Sequence, residues 1–323
     1  MSCLEDAPAS VAGTRVGMRE AAPAKLNLGL RVLGRRSDGF HELDSLFVRL
    51  DLADTVVVRA AADSVGGSGG AGTRPAAYAT PVGDRLARAP AGDAWLDERP
   101  LTLGPDNLVL RAVAAYRWAA AAAGVAVPPA ELELVKRIPW GAGLAGGSAD
   151  AAATLRAVAA AWPARVDLPA LGETLGSDVP FCLSGAAAAR VGGRGERIVA
   201  TEVPSLELLL VYPGVEVSAG AAFGWWAAEP VDVPPPDEGA LRAGRRVPLY
   251  NALEPSVVAH VPAVRDALAE LRDLGLGPVG MSGSGSTCFA WAADASAAAD
   301  AARDLAGRRP DWWVRAVRGA NAA

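Results

Sequence analysis

Hydrophobic positions alternate along Ala24-Lys25-Leu26-Asn27-Leu28-Gly29-Leu30-Arg31-Val32, which predicts a strand with Leu26, Leu28, Leu30 and Val32 on one face. Lys25, Asn27 and Gly29 share the other. That second face is either solvated or a polar site where glycine lets a ligand approach. The turn cluster Gly34-Arg35-Arg36-Ser37-Asp38-Gly39 comes next, then Phe40-His41-Glu42-Leu43 and an apolar strand through Leu50. Residues 19–58 thus read as strands. Asp106-Asn107 starts a helix over Leu108–Ala123, which Gly124 ends. Glu131–Ile138 reads as a strand, and Ala151–Ala161 as a strong helix former.

The second half alternates. Strands are expected over Ala187–Val191, Glu196–Ala200 and Glu207–Tyr212, and a Pro-rich linker over Val231–Gly239. A helix over Asn251–Leu274 ends at Gly275; a strand Cys288–Trp291, a helix Ala295–Ala306 and a last strand through Trp312–Val317 follow. This order predicts an α+β fold. Residues 59–100 show little periodicity and read as an insertion or mobile hairpin, with Gly66–Gly72 poorly ordered. Residues 1–18 read as a disordered lead-in. The expected division is 19–200 and 201–323.

Composition narrows the function. Of 323 residues 51% are hydrophobic, enough for a sizeable core, yet every apolar run is cut by Arg, Glu, Gly or Pro before it could span a membrane. A net charge of −5 argues against nucleic acid as the main partner. Cys3, Cys182 and Cys288 are widely spaced, with no CxxC, which points to reduced thiols in a cytoplasmic protein. Two histidines make a His-rich metal site improbable. Among 31 basic residues only Lys25 and Lys136 are lysine, so each is a candidate for a place that needs a compact ammonium.

The chemistry centres on Pro139-Trp140-Gly141-Ala142-Gly143-Leu144-Ala145-Gly146-Gly147-Ser148-Ala149-Asp150. A glycine-rich loop feeding a helix leaves unpaired N–H groups at the positive end of the helix dipole, where phosphate binds. Gly141-Ala142-Gly143-Leu144-Ala145-Gly146 matches GxGxxG, but Pro139 interrupts the strand before it, and no acidic residue closes a second strand. Gly147 stands where a P-loop has its lysine. A phosphate loop of another design and a plain Gly-rich turn remain. In Gly176-Ser177-Asp178-Val179-Pro180-Phe181 the acid is either a turn cap or a carboxylate held near a cation. Phe40 and His41 suit stacking on and hydrogen-bonding a base, or packing beside a surface histidine.

Three motifs in order resemble the GHMP small-molecule kinases: Pro23-Ala24-Lys25-Leu26-Asn27-Leu28, the loop Gly141–Ser148, and Met281-Ser282-Gly283-Ser284-Gly285-Ser286-Thr287. Gly34–Leu43, Gly176–Phe181 and Tyr250-Asn251-Ala252-Leu253-Glu254-Pro255 resemble the branch that acts on a cytidine-diphospho sugar alcohol. The resemblance implies a two-domain GHMP-kinase fold, a ribosomal protein S5 domain 2-like N-terminal domain joined to a ferredoxin-like C-terminal one. It also implies ATP with Mg²⁺, although no acidic ligand set for the metal is legible. Lys25 and Asp178 would be catalytic. The nucleotide would lie on Asn107, Pro139, Gly141, Ala142, Gly143, Leu144, Ala145, Gly146, Gly147, Ser148 and Ala149. Asn27, Phe40, His41, Phe223, Gly283 and Ser284 would meet the acceptor substrate, its base between Phe40 and Phe223. A monomer or homodimer without membrane or nucleic-acid partners is expected.

Two departures stand out. Ala145 and Ala149 replace a glycine and a serine usual in the family loop. Ala145 is tolerable there if its φ is negative, and Ser148 would have to contact phosphate alone. The alternatives are a homoserine- or mevalonate-type relative, or a silent sensor of the same fold.

Overall fold

The computed structural model describes residues 17–61 and 83–320; all but the last two residues of the expected 1–18 lead-in, and the stretch Gly66–Gly72, lie outside them. The chain opens on a long antiparallel hairpin, β1 (Met18–Arg35) and β2 (His41–Ala60), so Met18 is already in a strand. The hairpin turns through Gly39 at φ +87°, with the Arg36 amide donating to the Phe40 carbonyl. Then come β3 (Arg85–Ala89), α1 (Ala94–Asp97), α2 (Leu108–Ala122), β4 (Ala130–Val135), α3 (Gly146–Ala161), α4 (Leu168–Leu175) and α5 (Val179–Ser184). β5 (Ala188–Gly193) and β6 (Arg197–Ala200) complete the first sheet.

β4 and β5 both pair antiparallel with β2, and β3 lies parallel to β4 at the edge. The presumed insertion over 59–100 therefore includes the end of β2, a strand and a helical turn. Sequence periodicity missed β3 because Leu86 is its one strongly apolar residue among arginines and alanines.

The second unit runs β7 (Leu206–Tyr212), α6 (Ala219–Ala228), α7 (Glu238–Arg242), α8 (Glu254–His260), α9 (Pro262–Asp273), β8 (Val279–Met281), β9 (Cys288–Trp291), α10 (Ala295–Arg308) and β10 (Trp313–Gly319). Its strands lie in the order β10-β7-β9-β8, all antiparallel, which is the ferredoxin-like arrangement. The single helix expected over Asn251–Leu274 is two helices. Pro262 disfavours helical backbone at the residue before it, and Val261 takes φ −126°, ψ 88°.

One rung, Gly319 opposite Leu50, joins the two sheets. Core packing joins them more broadly. Leu26, Leu28, Leu46 and Val48 share a buried cluster with Leu208, Leu210 and Phe289, while Phe47 and Val56 pack with α2 and α3. The central hairpin is thus covered on both faces, and the face carrying Lys25 and Asn27 is not solvated.

Candidate active site

Lys25 and Asn27 are 4% and 3% exposed, so their polar groups must find partners inside the protein. Lys25 Nζ donates to Asn27 Oδ1 at 2.6 Å, and Asn27 Nδ2 donates to Ser45 Oγ at 2.9 Å. The ammonium also lies over the Phe47 ring, 4.6 Å from its centre. Edge-on to that ring, at 5.3 Å, stands Phe181 of α5. α5 is short, and Asp178 precedes it without capping it. The Asp178 side chain is 30% exposed, with Oδ2 at 3.5 Å from Lys25 Nζ. A carboxylate at that range, not consumed by a cap, is free to take a hydroxyl proton as a hydrogen bond.

The glycine ahead of this pair has another use than the one expected. A Cβ on Gly29 would lie 2.5 Å from Pro236 Cγ, so the Pro-rich segment, and no ligand, occupies that space.

The two glycine loops interlock beside Lys25. A Cβ on Gly143, whose φ is +76°, would overlap the carbonyl oxygens of Ser282 and Gly285. Thr287 N donates to Ala142 O, Ser282 Oγ donates to Gly143 O, and Lys25 N donates to Leu144 O. Asn251 Nδ2 donates to the carbonyls of Met281 and Gly283, both at 2.8 Å, which pins the second loop. A Cβ at Gly283 would stand 3.7 Å from Lys25 Nζ, so Gly283 lies beside the pair, with Ser284 next to it on the loop.

α3 begins at Gly146, and its first internal bond outside the cap runs from Ala149 N to Ala145 O. The amides of Gly146, Gly147 and Ser148 therefore have no partner one turn back and face outward at the helix's positive end. Ser148 Oγ points toward the turn before Asp178, 3.7 Å from where a Gly176 Cβ would be. The condition set for Ala145 in this loop is not met. Ala145 adopts φ +55°, ψ 29°, the left-handed conformation usually left to glycine. It is the N-cap of α3 and has no side-chain cap, so the tight entry to the helix sets its backbone.

Behind the loop lies a cavity of about 350 Å³, lined among others by Asn107, Leu108, Leu134, Lys136, Trp140 and Gly147. Asn107 is the N-cap of α2: its Oδ1 accepts from Val109 N and its Nδ2 donates to Thr102 O. Pro139 ends the segment after β4 that leads into the loop.

The aromatic residues form a separate patch. His41 stacks on Phe223 at 4.5 Å with planes 10° apart, and meets Trp226 edge-on. Its Nε2 is buried and has no partner among the described residues; burial, then Arg35, lowers its pKa. Phe40 is exposed, with the Arg194 guanidinium over its ring. His41 covers one face of Phe223, so a base reaches that ring from the other face or displaces His41.

Comparison with known proteins places this geometry. The family model for the GHMP kinases N terminal domain matches residues 107–186, and that for GHMP kinases C terminal matches 238–310. A 4-diphosphocytidyl-2-C-methyl-D-erythritol kinase from Deinococcus radiodurans is 43% identical, over 92% of this chain and 91% of its own. The chain belongs to the GHMP kinase family.

A second kinase of the same description, from Paracoccus denitrificans, is 39% identical over 92% of the chain and 95% of its own. The crystal structure of a 4-(cytidine 5'-diphospho)-2C-methyl-D-erythritol kinase superposes with a TM-score of 0.73 at 35% identity, covering 94% of this chain and 99% of that one. Homoserine kinase from Cytophaga hutchinsonii shares the fold at 18% identity and a TM-score of 0.61, over 96% of each chain. As a GHMP kinase the protein has the two-domain α+β architecture and is an ATP-dependent small-molecule kinase.

Sequence reasoning missed several groups around the site. Ser282 and Asn251 lie in the quoted motifs without a role of their own, yet they hold Asn27 and the second loop; Ser45, a lone hydroxyl in a strand, carries no signal. Lys136 was singled out as one of two lysines, and Asp150 had a signal too, an acid among alanines one turn inside α3.

Proposed function

We propose that this GHMP kinase transfers the γ-phosphoryl group of ATP to the 2-hydroxyl of 4-diphosphocytidyl-2-C-methyl-D-erythritol, in the non-mevalonate route to isoprenoid precursors. The observation that carries the reading is Asp178, uncapped and 3.5 Å from buried Lys25, beside the two interlocked glycine loops. Residues 19–200 bear the nucleotide, and 201–323 close the acceptor side. The phosphates lie along the loop from Gly141 to Ala149, on the free amides of Gly146, Gly147 and Ser148, with Ser148 adding a hydroxyl, and the adenine enters the cavity beside Asn107.

Phosphoryl transfer asks a protein mainly for positioning and charge stabilisation. Asp178 accepts a hydrogen bond from the attacking hydroxyl and aligns it with the γ-phosphorus. As the new P–O bond forms and the bond to the β-phosphate oxygen breaks, the hydroxyl proton passes to Asp178. Lys25, fixed by Asn27, offsets the negative charge spread over the transferring group. Among the described residues no three acidic, imidazole or thiol groups converge as a metal cage. That fits Mg²⁺, which is commonly held by substrate phosphates and water with little help from protein. The ion neutralises phosphate charge when bound.

On the acceptor side, Phe40 and Phe223 stack on the cytosine once His41 leaves the Phe223 face, and the freed His41 Nε2, which has no partner among the described residues, hydrogen-bonds the base edge. Gly283 and Ser284 line the path between the base site and Lys25. No described helix is long and apolar enough to cross a membrane, and Cys182 and Cys288 are free and buried, in keeping with a cytoplasmic enzyme. The test is ADP formation by purified protein with ATP and the cytidine-diphospho substrate, beside homoserine and mevalonate. Turnover confined to the first acceptor is expected. Turnover of homoserine or mevalonate instead would assign a different acceptor, and none at all would leave a nucleotide-binding relative without transferase activity.

A further inference from the structure

The chemistry above makes no use of a buried ion cluster under the phosphate loop. Lys136, 2% exposed, pairs with Asp54 and also donates to Asp150 Oδ2 at 2.8 Å. Asp54 is fully satisfied, because its Oδ1 accepts from the amides of Arg137 and Ile138. Asp150 is not. The residue is 4% exposed, and its Oδ1 is buried without any partner among the described residues. Leaving such an oxygen bare costs about 1–3 kcal/mol, more when it is charged.

Asp150 and Lys136 form part of the wall of the 350 Å³ cavity. The rest of the lining includes Leu101, Leu108, Leu134 and the Trp140 ring, with Gly147 at the side where α3 begins. The space is a largely apolar slot, with Thr102, Asp106 and Asn107 also in its wall, that adjoins the phosphate-facing amides; Asp150 in that wall carries the buried, unanswered oxygen. A ligand that fits must be flat, joined to phosphates, and carry an N–H at its buried edge.

We propose that Asp150 Oδ1 accepts the exocyclic 6-amino group of the adenine, and so makes this site choose adenine over purines with no donor there. The proposal rests on the reading of the cavity as the base pocket. Acidity agrees with the geometry. Burial pushes Asp150 up to about 8 against the pull of Lys136, with Asp54 adding to the push; these two are the charged groups that face it. A donor from the ligand favours the ionised carboxylate, so binding of an aminopurine nucleotide near neutral pH releases a proton.

The test is calorimetric titration of the full-length protein with ATP, purine riboside triphosphate, which lacks only the 6-amino group, and inosine triphosphate. Wild type is expected to bind the purine analogue about 10- to 100-fold more weakly than ATP, as an unanswered buried acceptor implies. In Asp150→Ala the two should bind alike, and the proton release seen on varying the buffer's ionisation heat should vanish. In Asp150→Asn the amide oxygen turns to Lys136 and the NH₂ to the cavity, so inosine triphosphate should gain on ATP. Equal binding of ATP and the purine analogue by wild type overturns the proposal even if no variant folds. An unchanged ATP-to-inosine preference in Asp150→Asn also overturns it. Leu108→Trp, which fills the slot, separates the two readings. If it abolishes ATP binding while the Asp150 variants keep the wild-type preference, only the Asp150 assignment falls. If it leaves ATP binding intact, the base-pocket reading falls as well.

Discussion

The chain has two lysines, and each meets an aspartate inside the N-terminal unit. Lys136 is held by two carboxylates, one of which is closed off further by backbone amides. Lys25 has one carboxylate at 3.5 Å, which is an ion pair without a hydrogen bond, and among the described residues its only direct side-chain acceptor is Asn27. The first arrangement is largely complete in the protein alone. The second leaves Asp178 open on the solvent side, where a hydroxyl and a phosphate can complete it. The same two residue types thus serve as an internal tie in one place and as a reacting pair in the other, and the difference lies in how many partners the fold supplies.

The strongest test of that distinction removes the open carboxylate. Asp178→Asn should cut turnover by up to about 10⁴-fold, the upper range for a positioned acid–base group. ATP affinity and thermal stability should barely change, because Asp178 caps no helix and is partly exposed. Steady-state kinetics with nucleotide titration checks this, and a near-normal rate would erase the contrast between the two pairs.

The reverse pattern is expected for the closed pair. Lys136→Met leaves Asp54 as a buried carboxylate without its cation and Asp150 Oδ2 without its donor, which should destabilise the fold by about 3–5 kcal/mol. Urea denaturation reads it; a loss below about 1 kcal/mol would mean that water already enters the cluster.

The next effect is a slope with pH. Asp150 is raised from 3.8 to about 8, so between these values the folded protein holds a proton that the unfolded chain has released. Its contribution to stability is therefore complete below pH 4 and lost as pH rises through about 8. Asp150→Asn should flatten the decline across that window in denaturation curves taken at a series of pH values. An unchanged slope would place the titration elsewhere.

These contrasts show where the sequence was readable. The alternation in β1 revealed which residues share the Lys25 face, yet not that the face is buried, because burial comes from α2 and α3 packing against β2 on that side. Spacing and glycine content marked both glycine-rich loops. Their interlocking through Gly143 and the Ser282–Gly285 segment joins residues some 140 positions apart and has no local signature. The break at Val261 was visible in Pro262 and was overlooked beneath a strong helical pattern. β3 and the empty edge of Asp150 depend on neighbours that only the fold brings close.

A smaller effect probes the aromatic patch, which lies outside both ion pairs. Phe40→Ala should raise KM for the cytidine substrate by roughly 5- to 150-fold, the ~1–3 kcal/mol of one base stacked on an aromatic ring. KM for ATP should stay near its wild-type value. Equal rises for both substrates would remove Phe40 from the acceptor side.

The smallest expected change concerns the hinge between the two lysine sites. Ala145 closes the glycine loop beside Lys25 and caps the helix that carries Asp150, and its φ of +55° is unfavourable for a residue with a Cβ. Ala145→Gly removes that strain at the cost of a more flexible unfolded chain; where φ is positive the strain is the larger quantity. A net stabilisation of about 0.5–1 kcal/mol should follow in urea denaturation, again on the scale of such backbone effects. ATP affinity should hold, since the amides of Gly146, Gly147 and Ser148 keep their direction from the helix that follows. If glycine instead destabilises the protein, Ala145 is not held in the left-handed region in solution, and the loop reaches α3 by another path.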